Sequence, residues 1–328
     1  MSLVVTFGEL MLRLTTPGHE RFAQATSLHV DFGGAEANVA VTIAQLGGSA
    51  AFVSKLPDNE LGQRAIDELQ RCGVYTPHIA RGGDRLGLYF LEHGASQRPS
   101  KVIYDRTHSS LADSSPADFD WLRIFEGADW FHWSGITPAL SPQCAEITEQ
   151  AASTARQLGM TVSFDMNYRA KLWSPEKAAS VLVPMMKYVD LCIVGPGEAS
   201  SIFGIEAGSD EALAAALAAE FGFGTVAITQ RKATGASTTT FSALLYAGEE
   251  CHSSRRHEIG IVDRVGAGDA LTGGLILSLV RGDAPGKAIE FAVAAGALKH
   301  TIPGDFALLT LSEVEALASG RDGGRVQR

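Results

Sequence analysis

Short β-branched or aromatic runs alternate along this chain with longer stretches whose apolar positions recur at helical spacing, and this alternation predicts the elements. Val4-Val5-Thr6-Phe7 stops at Gly8, as a strand buried on both faces does. A small-residue helix is expected over 35–46, closed by Gly47-Gly48, then a strand at 51–53 and a helix over 61–72 ended by Gly73. Two strand-like runs follow, 87–91 and 102–106, around the polar stretch 93–100, and they predict an antiparallel hairpin inserted into the series. Strands at 130–133, 161–164, 191–194 and 225–228 then alternate with helices over 143–158, 175–186 and 210–220. A further strand at 242–246 and helices over 268–280 and 285–300 complete the series. Strands spaced by helices argue for one α/β domain, a mostly parallel sheet covered by helices on both faces, with a small β insertion. No repeat recurs at fixed spacing, and the polar tail 319–328 is expected to be loose.

Composition narrows the classes further. A chain of 328 residues that is 45% hydrophobic and 20% charged, with 35 Gly and 12 Pro, is not a disordered tail, a collagen-like repeat or a coiled coil. The net charge of −10 argues against nonspecific nucleic-acid binding, so an anionic ligand must be received by local cations. Apolar runs such as 275–280 fall far short of the roughly 20 residues of a membrane helix, and the start lacks a basic region before an apolar stretch, so no signal peptide is expected. Cys72, Cys144, Cys192 and Cys251 lie far apart with no Cys-x-x-Cys pair, which reads as unpaired thiols in a reducing, cytoplasmic setting.

The sharpest local signal is Asp263-Arg264-Val265-Gly266-Ala267-Gly268-Asp269-Ala270. A Gly-Ala-Gly turn entering a helix presents unblocked backbone N–H groups, which suits a phosphate or a developing oxyanion. Asp269 then falls in the first helical turn, where a carboxylate is also favoured simply by the helix dipole. Gly266 and Gly268 lie near the C-terminus rather than after the first strand, so this is no dinucleotide fingerprint.

That segment resembles the C-terminal signature of ribokinase-type (PfkB) sugar kinases, and Phe32-Gly33-Gly34-Ala35-Glu36-Ala37-Asn38-Val39-Ala40 resembles their N-terminal diglycine signature. The two, in correct order, span essentially the whole chain. The resemblance implies a ribokinase-like twisted sheet with a small β-sheet lid, formed by segments of about 12–33 and 87–107. It implies Asp269 as catalytic base toward the γ-phosphate of ATP, with Gly266, Ala267 and Gly268 as an anion hole. Mg²⁺ would accompany the triphosphate, a monovalent cation is expected near Asp263, and a homodimer through the lid suits the edge strands.

Within the family, several segments resemble the 2-keto-3-deoxygluconate kinase branch: Gly8-Glu9-Leu10-Met11-Leu12-Arg13, Tyr104-Asp105-Arg106, Asp165-Met166-Asn167-Tyr168-Arg169, and the run from Lys299 to Gly304-Asp305. Related kinases of neutral sugars usually place an Asp after the first strand, where this chain has Glu9. Arg106 and Arg169 become candidates for a substrate carboxylate, which a guanidinium grips in two-pronged fashion. Tyr89, Tyr104, Gly33, Gly34 and Asn38 are candidate sugar contacts, alongside Asp269 itself. Two departures stand out. The family's usual Asn-x-x-Glu is Gly195-Pro196-Gly197-Glu198 here, which leaves Glu198 as an indirect metal contact. The usual nucleotide loop is replaced by the stretch 229–237, in which Thr229 and Arg231 are the candidates for ATP phosphates together with Gly266 and Gly268. The expected activity is ATP-dependent phosphorylation of the terminal hydroxyl of 2-keto-3-deoxygluconate. The alternatives are fructose, ribose or the galactonate epimer as substrate, or a sugar-responsive regulatory protein that has kept the fold.

Overall fold

The computed structural model describes residues 2–233 and 235–321. Its strands are β1 (Leu3–Phe7), β2 (Met11–Thr15), β3 (His29–Gly33), β4 (Ser49–Leu56), β5 (Ile79–Arg81), β6 (Gly87–Glu92) and β7 (Lys101–Asp105). Those of the second half are β8 (Ala128–Ser134), β9 (Thr161–Asp165), β10 (Leu191–Val194), β11 (Thr225–Ala233), β12 (Thr238–Ala247), β13 (Glu250–Ser253) and β14 (His257–Gly260). The main sheet runs β13-β12-β11-β10-β9-β8-β1-β4-β5, with β14 also on β12. From β11 to β5 every pairing is parallel, and β12 turns back antiparallel to β11. β1 lies between β8 and β4, so the strand order reverses beside it; in open α/β sheets the crevice at such a reversal is where ligands gather.

Side chains alternate across the sheet, and each face has its own core. Val4 packs on one side with Ile43, Leu271 and Ala294, whereas Val5 packs on the other with Phe131, Ile147 and Phe164. The helix Ala267–Val280 is apolar almost all round and sits deep in the first core. Gly273 lets it approach the helix Ala35–Gln45, because a β-carbon there would meet the Thr42 β-carbon at 2.7 Å. This close approach holds the two helices side by side along the first half of Ala267–Val280.

A separate four-stranded sheet, ordered β3-β2-β6-β7, accommodates the inserted hairpin. β6 and β7 pair antiparallel with Tyr89 opposite Tyr104, and β2 joins β6 in parallel while β3 closes the edge. Arg106 lies one residue beyond β7 rather than at its end.

Two expected boundaries differ, and two short strands were not expected. The helix read as 175–186 ends at Leu182 and continues as a 3₁₀ turn, Val183–Tyr188, because Pro184 has no N–H for the ladder. The stretch 229–237 is no loop through most of its length: β11 runs on to Ala233 in register with the β-branched start of β12. The polar edge strands β13 and β14 carry no apolar alternation to announce them. Residues 322–328 of the expected loose tail lie outside the described residues.

Candidate active site

Beyond the carboxyl ends of β9, β10 and β11, beneath the second sheet, lies a cleft of about 790 Å³. It collects nearly all the side chains singled out from the sequence: Asn38, Tyr89, Tyr104, Arg106, Arg169, Glu198, Thr229, Arg231 and Asp269, with Gly266 and Gly268 at its base.

Asp269 sits in the first turn of Ala267–Val280, and Gly266 caps that helix with a left-handed backbone, φ 83°. No side chain fits at Gly266: a β-carbon would fall 2.1 Å from the Asp305 carbonyl oxygen. The first-turn N–H groups have no partner within the helix; Gly266 and Gly268 line the cleft, whereas Ala267 is buried beside it. Asn38 donates from Nδ2 to Asp269 Oδ2 at 2.7 Å. Burial lifts the Asp269 carboxyl to about 6 despite that hydrogen bond and the nearby guanidinium of Arg169. A carboxylate poised there is ionised at neutral pH yet basic enough to accept a hydroxyl proton.

Behind Asp269 lies a buried ionic network that the sequence did not disclose. Asp305 lines the cleft and accepts from Arg13 at 2.7 Å, from the Tyr89 hydroxyl and from Asn38 at 3.4 Å. Arg13, fully buried on β2, also pairs with Asp263, whose carboxylate takes the Val265 and Gly304 N–H groups at 3.1 Å each. Burial and the neighbouring Asp305 push the Tyr89 hydroxyl well above its usual range, so it stays a donor. Gly33 abuts this network and Gly34 the backbone at Glu9, and neither lines the cleft. A β-carbon on Gly33 would overlap the Asp305 carboxylate at 1.9 Å, and one on Gly34 would strike the Glu9 carbonyl at 1.9 Å.

The two candidate arginines differ. Arg169 lines the cleft, donates to the Tyr168 carbonyl at 3.4 Å and pairs with no carboxylate among the described residues. Arg106 is buried and already held by Glu9, whose other oxygen takes the Ser109 hydroxyl. The Tyr104 ring lies 5.6 Å below the Arg106 guanidinium and 5.9 Å from the Tyr89 ring.

On the other side of the cleft, Glu198 accepts the N–H groups of Tyr168 at 2.9 Å and Gly195 at 3.0 Å. Asp165, at the end of β9, was not predicted as a site residue. Burial, then Glu198 and Asp269, raise its carboxyl to about 8. The Arg231 guanidinium rests on Gly268, where a β-carbon would come within 2.6 Å of it, and over the Phe241 ring. Thr229 lines the same wall.

A parallel sheet with a phosphate-suited glycine turn, a raised carboxylate at its helix mouth and a cleft lined by Arg169 and Arg231 suits a group-transfer enzyme that handles an anionic donor. Residues 1–307 match the sequence profile of the pfkB family carbohydrate kinases, and the chain belongs to that family. It is thus a sugar kinase, a phosphotransferase with an alcohol group as acceptor. The chain is 38% identical to a 2-dehydro-3-deoxygalactonokinase of Haloferax volcanii, with 98% of each chain covered. It is 30% identical to a 2-dehydro-3-deoxygluconokinase of Bacillus subtilis, covering 92% of this chain and 90% of that one. The crystal structure of a 2-dehydro-3-deoxygluconokinase from Thermotoga maritima superposes with a TM-score of 0.96 at 48% identity, covering 97% of this chain and 98% of that one. Its ribokinase-like fold, with a separate small sheet, is the fold seen here.

Proposed function

We propose that this kinase phosphorylates the terminal hydroxyl of a 2-keto-3-deoxy sugar acid, 2-keto-3-deoxygluconate first, with ATP as donor. The observation that carries the reading is Arg169, a cleft guanidinium without a carboxylate partner, in a protein whose net charge of −10 otherwise repels an acid. The galactonate epimer is the second reading, supported by the name of the Haloferax relative.

In the proposed mechanism Arg169 receives the substrate carboxylate two-pronged, and the Tyr89–Tyr104 wall covers the chain of the sugar. Asp269 takes the proton of the terminal hydroxyl as that oxygen bonds to the γ-phosphorus. The bond from the γ-phosphorus to the bridging oxygen breaks, ADP leaves, and Asp269 returns the proton to solvent. The N–H groups at Gly266, Ala267 and Gly268, with Arg231 and Thr229, receive the phosphoryl charge. Asp165 and Glu198 face the cleft with mutual repulsion that a hard cation relieves, while no three carboxylates close into a metal cage among the described residues. The set therefore fits Mg²⁺ held through phosphate and water, with Glu198 as an indirect contact, where it would neutralise triphosphate charge.

The second sheet is proposed as a lid and as the dimer contact. Val30 on edge strand β3 and Ile103 on edge strand β7 are exposed, and such edges invite pairing; light scattering showing a monomer would remove this point. Cys72, Cys144 and Cys192 are buried free thiols and no helix among the described residues is long and apolar enough to cross a membrane, in keeping with the cytoplasmic reading.

The test is a coupled ADP-release assay over both keto-sugar acid epimers, fructose and ribose. Turnover of a keto-sugar acid well above both neutral sugars supports the reading. Efficient use of fructose or ribose with neither acid turned over would overturn it.

A further inference from the structure

Directly beneath the glycine turn lies a lysine that the mechanism above does not use. Lys299 ends the helix Pro285–Lys299 and is fully buried. Its Nζ donates to the Ile302 carbonyl at 3.0 Å, and its Cε lies so close to Gly266 that a β-carbon there would come within 3.3 Å. Burial lowers its proton affinity, and the carboxylates of Asp263 and Asp305 oppose that from nearby. A buried ammonium is costly and persists only with such partners.

The same place is where the family resemblance leads one to expect a monovalent cation, beside Asp263. The residues do not fit one. A bound cation needs oxygen lone pairs turned toward it. Asp263 instead faces donors: the Arg13 guanidinium and the N–H groups of Val265 and Gly304. Asp305 is likewise taken by Arg13, Tyr89 and Asn38. The positive charge that would balance these two carboxylates is already present in the chain, as Arg13 and Lys299.

We propose that Lys299, backed by Arg13, is a built-in cation under the Gly266–Gly268 turn, and that this kinase consequently works without a bound monovalent cation. This rests on the kinase reading only through the turnover assay. Lys299 is a positioning residue: its ammonium steadies the carboxylates and the turn that receive phosphoryl charge, without touching the substrate.

The experiment holds ionic strength at about 0.1 M with tetramethylammonium chloride and replaces it stepwise by KCl, NaCl or NH₄Cl. For the natural chain, turnover should change by less than about twofold, and the melting temperature should not respond to K⁺ specifically. Saturable activation of several-fold, or a K⁺-specific rise in melting temperature, would overturn the proposal. The melting arm needs no substrate, so it reads the cation question even if every tested sugar proves wrong.

Lys299→Ala removes the ammonium and leaves room. Turnover should fall by roughly 10- to 100-fold, as for loss of a preorganised charge, and part of it should return with NH₄⁺, ethylammonium or K⁺. A folded Lys299→Ala protein that keeps full turnover, or loses it with no response to any of these cations, counts against the assignment. Should the variant fail to fold, the measurements on the natural chain decide alone.

Discussion

Asp269 is the proposed catalytic base, and its buried setting predicts both a pH dependence and a stability effect. Its carboxyl is raised to about 6 by burial, so kcat/KM should fall below about pH 6 as one proton binds. Asp269→Asn should bind ATP but lose about 10²- to 10⁴-fold in turnover, because the amide accepts no proton. An acid whose folded pKa is raised costs stability once the unfolded chain is ionised, and this cost is absent below about pH 4. The Asn variant should therefore melt no lower than the natural chain at pH 8, by up to about 1–3 kcal/mol in its favour, and gain nothing at pH 4. Near-normal turnover in the folded variant would return Asp269 to a helix-end role. Asp269 and Arg169 were legible in the sequence because a glycine turn and a strand end mark them. Arg13 and Asp305 were not, because a lone charge in a strand or after a turn reads as surface until the fold buries it. Arg106 and Arg169 were both candidates for the carboxylate, yet Glu9 neutralises only Arg106. Arg106→Ala should strip Glu9 of its partner inside the protein and destabilise the fold by about 3–5 kcal/mol, which Glu9→Gln in the same chain should largely restore. Calorimetric melting reads both; an unchanged melting temperature for Arg106→Ala would contradict the pairing.

Among the elements, the second sheet is the proposed lid. The tip between β6 and β7 reaches the segment between β11 and β12: Ala236 N–H donates to the Ser96 carbonyl at 2.8 Å, and Ser96 N–H to the Ser237 hydroxyl at 3.0 Å. If the sheet closes as proposed, these contacts tie it to the side of the cleft that holds Thr229 and Arg231. Hydrogen exchange should slow across residues 87–106 and at 235–237 when substrate and a nonhydrolysable ATP analogue are both present. Unchanged protection throughout would remove the lid. The β6–β7 hairpin was legible from its strand pattern around a polar tip. β2 and β3 were not, since β2 joins the sheet through distant β6 and His29, Val30 and Asp31 on edge strand β3 are exposed. The extension of β11 to Ala233 was hidden for a similar reason: only the ladder with β12 makes a strand of residues that look like a polar loop.

For the whole molecule, packing of the helix Ala35–Gln45 against Ala267–Val280 explains why signatures about 230 residues apart meet in one cleft. Alternating strands and helices made the main sheet legible, since each short apolar run had to be covered on both faces. Nothing in that pattern specifies a sugar; specificity rests on where single charges end up. The most direct measurement is the ratio of kcat/KM for the keto-sugar acid to that for a neutral ketose, before and after Arg169→Ala. A hydrogen bond to a charged group is worth about 1.5–3 kcal/mol, so that ratio should fall roughly 10- to 100-fold, with Arg169→Lys restoring only part of it. If the ratio stays where it was while the variant remains folded, Arg169 does not receive the acid and the assignment of a sugar-acid substrate is contradicted.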